Sequence, residues 1–97
     1  MSAASGRMTT IRAERYAKQL TCHWSARGPV TEEHGALVQR WDDGQVLILR
    51  PAGDHLHIEV SVAENGDVTR FAEFVKAHLE RFGQRDELSV VWDQPAH

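Results

Sequence analysis

The segment His55 to Val62 reads His-Leu-His-Ile-Glu-Val-Ser-Val and alternates without a break. A period of two places Leu56, Ile58, Val60 and Val62 on one side of a strand and His55, His57, Glu59 and Ser61 on the other. Such a strand needs cover on its apolar side only, so the chain must supply a second layer there. Two earlier segments also read as strands, Ala36 to Trp41 and Gln45 to Arg50. Asp42-Asp43-Gly44 separates them, and Pro51-Ala52-Gly53-Asp54 precedes His55. Asp-Gly supplies the positive φ of a tight hairpin and Pro followed by Gly presets a bend, which predicts an antiparallel meander.

The covering layer comes from two helices. Between Arg12 and Ala26, Tyr16, Leu20 and Trp24 recur every four residues with Ala13 and Ala17 beside them, and Gly28-Pro29 stops the pattern. After Asp67, an N-cap residue type, Phe71, Phe74, Val75, Leu79 and Phe82 follow three- and four-residue spacings, and Gly83 stands at the C-cap. Arg7 to Ile11 and Leu88 to Trp92 read as short strands, giving the order β-α-β-β-β-α-β. The expected fold is a two-layer α+β domain, a mainly antiparallel sheet with both helices on one face. With 97 residues there is room for one core, expected over 7–92, with mobile tails at 1–6 and 93–97. Met8 offers an alternative start.

Charge and composition exclude several roles. Eleven basic against fourteen acidic residues leave a net charge of -3, the wrong balance for a nucleic-acid partner. No apolar run approaches the roughly 20 residues that span a bilayer, so no membrane role is expected. Cys22 is a single cysteine, and the first residues lack a secretory pattern, which predicts a cytoplasmic protein. The unbroken run Val46-Leu47-Ile48-Leu49 puts aliphatic side chains on both faces of its strand. A homodimer packing sheet against sheet would cover the second face; a central strand tolerating two outward leucines is the alternative.

Six histidines invite a metal reading, and His23 and His78 fall on the apolar stripes of the two helices. His23 follows Leu20 by three, and His78 follows Phe74 by four. With both helices on one sheet face, the two imidazoles can approach and either share a metal or form a proton-transfer pair. The competing reading is structural, a ring donating one hydrogen bond to a carbonyl or carboxylate. His55 and His57 point to one side of their strand with Glu59 next in line, a second and weaker metal candidate against a plain solvated face. Cys22 and His23 diverge by about 100 degrees around the helix, which argues against a thiolate pair. Arg81 and Arg85 suit the helix C-terminus electrostatically, and Asp86 and Glu87 follow closely, so local ion pairing is the plain reading; with Arg15 they are also candidates for an anionic ligand. Phosphate-loop, Cys-x-x-Cys, His-Glu-x-x-His and Gly-x-Ser-x-Gly patterns are absent from the sequence, which names no cofactor.

The segments Arg15-Tyr16-Ala17-Lys18-Gln19-Leu20-Thr21-Cys22-His23-Trp24 and His78-Leu79-Glu80-Arg81-Phe82-Gly83-Gln84-Arg85, with Val90-Val91-Trp92, resemble the bacterial domain-of-unknown-function family 2218. The likeness runs from about Arg7 to Trp92. His23, His78 and Arg81 match the family's two helical histidines and the arginine after the second. Trp24 stands where a phenylalanine is usual, and Gly83 where an alanine is. The resemblance implies a two-layer fold similar to the TATA-binding-protein-like type and a loose association with siderophore and iron handling, with no established activity and no catalytic residue. The reading is therefore a small binding or accessory domain acting through His23, His78 and Arg81, with a protein of iron metabolism as a partner. Its rival is a small enzyme using His23 or His78 as general acid or base, with Arg81 or Arg85 orienting an anionic substrate.

Overall fold

A computed structural model describes residues 2–24, 26, 28–41, 44–63, 66–84 and 88–92. In chain order these form β1 (Ser2–Thr9), α1 (Ala13–His23), β2 (Val30–Glu33), β3 (Ala36–Arg40), β4 (Val46–Pro51), β5 (His55–Val62), α2 (Val68–Phe82) and β6 (Val90–Trp92). The six strands make one sheet in the order β2-β3-β4-β5-β1-β6, and every neighbouring pair is antiparallel. α1 packs across β3, β4 and β5, and α2 across β5, β1 and β6, so β5 lies under the seam between the helices. The α+β class, the layer count and the meander agree with the sequence reading.

The alternation in β5 is realised in full. Leu56, Ile58, Val60 and Val62 are buried under the helices, and the intervening residues are half-buried on the far side. Together with Met8, Leu20, Leu47, Leu49, Val75 and Leu79 they form a core from which water is excluded. α2 begins where expected, the Asp67 carboxylate accepting the Arg70 backbone N–H at 3.0 Å. That bond satisfies one of the amides a helix start leaves open.

Several boundaries, and one whole strand, differ from the sequence reading. β1 begins at Ser2, so 2–6 is strand, and the expected N-terminal tail is instead an inner strand paired with β5 from Ser2 opposite Val62 to Thr9 opposite His55. Small residues suit this position: a methyl group on Gly6 would lie 2.7 Å from both Trp92 Cε3 and the Val91 carbonyl oxygen. Residues 93–97 lie outside the described residues. β2 was not expected at all. It forms a hairpin with β3 through His34 and Gly35, whose φ values of 51° and 80° provide the double positive turn that a two-residue connection requires. α1 ends at His23 rather than Ala26, β4 extends to Pro51, and β6 starts at Val90 rather than Leu88.

The face away from the helices carries Ala36, Val38 and Arg40 on β3 and Val46, Ile48 and Arg50 on β4, by register with β5. Ala36 and Val38 are only 1% and 4% exposed. The reason is local. Arg40 Nη1 lies 2.9 Å from Glu33 Oε2 and 3.4 Å from Thr31 Oγ1, with Thr31 directly opposite Val38 and Glu33 opposite Ala36. The arginine stem thus runs along the aliphatic row and shields it. On β4, Val46 and Ile48 remain half-buried.

Candidate functional site

The spacing of α2 lines up Phe71, Phe74, His78 and Phe82, and the end of α1 adds His23 and Trp24. Where the helices meet, His23 and His78 have ring centres 5.6 Å apart. The two rings expected to meet therefore do so. They meet at the rim of the helical layer rather than in the core, because His23 is exposed and His78 half-buried. Trp24, itself buried, stacks on Phe74 at 5.2 Å with 12° between planes and lies 4.9 Å from His78. Phe74 lies 4.5 Å from His78, and the edge of Phe82 meets His23 at 5.5 Å. Aromatic contacts of this kind add about 0.5–1.5 kcal/mol each beyond their buried area, so both imidazoles are held by their neighbours.

His78 has a defined hydrogen-bonding state. Its Nδ1 lies 2.9 Å from the Phe74 carbonyl oxygen, which can only accept, so Nδ1 carries a proton, and in the neutral form of the ring the lone pair is on Nε2. The structural role foreseen for such a ring and the requirements of a ligand coincide here. Metal-bound histidines characteristically donate their other nitrogen to a carbonyl or carboxylate. Two imidazoles on one tetrahedral ion at about 2.1 Å per bond have ring centres about 5 Å apart, close to the separation found. Among the described residues no three His, Cys, Asp or Glu side chains converge, so the pair stands without a third protein ligand.

Beyond Phe74 the aromatic line opens into a groove of about 590 Å³ lined by Trp41, Gln45, Asp67, Arg70, Phe71, Glu73 and Phe74. Trp41 connects its floor to the histidines, edge-on to Trp24 at 5.1 Å and to Phe71 at 5.0 Å. Sequence reasoning took Phe71 and Phe74 as core and overlooked Trp41 and Arg70. A tryptophan at the end of a strand, where the sheet leaves the shelter of a helix, was the available signal. Arg81, in the last turn of α2, and Arg15, on α1, are exposed, and Arg85 lies outside the described residues.

The second histidine group does not assemble as a chelate. His57 Nε2 is 3.2 Å from Glu59 Oε1, while His55 Nδ1 is 2.8 Å from Asp54 Oδ1, so each ring is drawn to a different carboxylate. The hydrogen bond from His55 is the main cause that holds the Asp54 carboxyl below the usual carboxylate range. Cys22 is exposed and free. No helix is long and apolar enough to cross a membrane among the described residues.

Comparison with known proteins gives a consistent picture of the fold. The NMR structure of PA4090 from Pseudomonas aeruginosa is similar over 100% of both chains, with a TM-score of 0.76 at 20% sequence identity, a level that speaks for shared architecture alone. No curated protein matches the chain. Residues 5–93 match the family described as uncharacterised proteins conserved in bacteria, DUF2218, and with nearly the whole domain covered, the chain belongs to that family.

Proposed function

We propose that the protein is a small, non-enzymatic binding domain that takes a transition-metal complex at His23 and His78. The observation that carries this reading is the pairing of the two rings at 5.6 Å with His78 Nδ1 committed to the Phe74 carbonyl. Imidazole suits zinc, copper, nickel and ferrous iron. Two protein nitrogens leave at least two coordination positions to other donors, which favours an ion arriving with part of its ligand set over a bare ion. The half-buried Phe74 and the groove beyond it would receive the organic portion of that ligand, and Arg81, three residues beyond His78, would face its charge. The family resemblance makes iron complexes the first class to examine and a protein of iron metabolism the first partner. A second copy packed on Val46 and Ile48 would require self-association at micromolar concentration in light scattering.

The test uses protein purified without a metal column. The nickel complex of nitrilotriacetate has two adjacent open positions and matches a pair of imidazoles. We expect single-site calorimetric binding of this complex, abolished by His23→Ala and by His78→Ala, with the histidine ring signals shifting in NMR spectra. Ferrous and ferric chelates titrated in the same way test the iron assignment. Absence of heat and of ring shifts at millimolar concentrations of all these complexes would overturn the proposal.

A further inference from the structure

The opposite face of the sheet carries a second grouping of polar side chains. Strand register sets Arg7 of β1 and Arg50 of β4 directly on either side of His57 of β5, so the three form one row across three adjacent strands. All three point away from the helices, because their strand neighbours Met8, Leu49, Leu56 and Ile58 fill the core. Strand spacing of about 4.8 Å puts the two arginine Cα atoms about 10 Å apart, and their long side chains can close on one group between them.

Of the carboxylates on this face, Asp54 and Glu33 are bonded to residues outside the row, and Glu59 is bonded to the row's own His57. Glu59 pairs with His57 at 3.2 Å, Asp54 with His55 at 2.8 Å, and Glu33 with Arg40 at 2.9 Å. Asp54 feels the charge of Arg7, with His55 its closer partner. Among the described residues, neither Arg7 nor Arg50 forms an ion pair with a carboxylate. Both guanidinium groups are exposed. The row is thus two arginines, neither in an ion pair, flanking an imidazole that is hydrogen-bonded to Glu59, on a chain whose net charge is -3. Planar guanidinium forks recognise tetrahedral and carboxylate oxyanions by paired hydrogen bonds.

We propose that Arg7, His57 and Arg50 form a binding site for a phosphate-type oxyanion on the open face of the sheet. The guanidinium groups clamp the oxygens from both sides and His57 lies beneath them. Ile48, one step along β4 from Arg50, offers half-buried apolar surface to the organic part of a phosphate monoester. This site is separate from the histidine pair, which lies on the helical side.

The experiment is an NMR titration of isotope-labelled protein with inorganic phosphate and with glycerol phosphate, each matched in ionic strength by a sodium chloride titration. Saturable shifts at the Arg7, Arg50 and His57 signals are expected with the phosphates and not with chloride. Arg7→Gln and Arg50→Gln should each weaken binding about tenfold, in line with the loss of hydrogen bonds to a charged group. Arg50→Lys, which keeps the charge and loses the fork, should fall between. Equal affinity for the two compounds identifies a free-anion site. Tighter binding of the ester, with added shifts at Ile48, identifies a monoester site. Shifts that chloride reproduces, or that persist unchanged in the Arg7→Gln, Arg50→Gln double variant, overturn the proposal, and His23→Ala should leave the titration unaltered.

Discussion

The two faces of the sheet are stabilised by different physics. Under the helices, Leu47, Leu49, Leu56 and Ile58 are fully buried and the aromatic line from Phe71 to His23 is built from ring contacts. On the open face the contacts are polar: Arg40 with Glu33, His57 with Glu59, His55 with Asp54. Burial responds to side-chain volume and little to salt, whereas exposed ion pairs respond to salt and pH and contribute little to global stability. A ligand site on either face inherits that difference. The histidine pair sits among ring contacts, whereas the two arginines of the row are exposed.

Substitutions can break this contrast. Trp24→Ala removes the ring that joins α1 to Phe74, Trp41 and His78, and should cost about 3–5 kcal/mol in denaturant unfolding. Ile48→Ala on the open face should cost only about 1 kcal/mol, since its side chain is half-buried to begin with. A cost for Ile48→Ala matching that of Trp24→Ala would mean that the open face is covered in solution. Gln39 lies between these extremes. It is 0% exposed on the helical side of β3, and its Nε2 donates to the carbonyls of Trp24 at 2.6 Å and Gly28 at 3.2 Å. Gln39→Ala should cost about 1–3 kcal/mol by leaving those carbonyls without a donor, and it should loosen the approach of His23 to His78.

A smaller effect is expected at Glu80, whose Oε2 accepts the Val90 backbone N–H at 2.9 Å while Lys76 Nζ sits 3.2 Å away. Glu80→Ala should cost about 1 kcal/mol, read most directly as faster hydrogen exchange at the Val90 amide. Smallest is the pH effect at Glu33. Hydrogen bonds from Arg40 and then from Thr31 hold its carboxyl below the usual carboxylate range. The folded-state pKa is therefore below the unfolded one, so the stabilisation is present above the ordinary carboxylate range and is lost as pH falls through the lowered value. Glu33→Gln should flatten that acid limb, and added salt should do so in the native protein.

What the sequence discloses follows from where side chains are apolar. β5 and α2 have unambiguous periods, so their faces were legible, and so was the meeting of His23 with His78, which needs only two stripes on one sheet. β2 was not, because Val30-Thr31-Glu32-Glu33 is an edge strand without alternation and its turn uses His34-Gly35 in place of the commoner Asn-Gly. The early part of β1 is not legible because Ala3, Ala4, Ser5 and Gly6 have no apolar period, and Gly6 leaves room for Trp92 instead. The arginine row was invisible for a different reason. Arg7, Arg50 and His57 are far apart in the chain, and only strand register brings them into line.

The position of β1 bears on how the molecule is made. β1 comes first among the sheet's strands in chain order yet is an inner one, and its hydrogen-bonding neighbours β5 and β6 follow much later in the chain. Until then β1 has no ladder to join, and β5, once formed, waits with one side unpaired. Pairings so distant in the chain form slowly, and an exposed strand edge invites association with other copies. Closure of the sheet around β1 is thus the step at which newly made protein is most open to self-association.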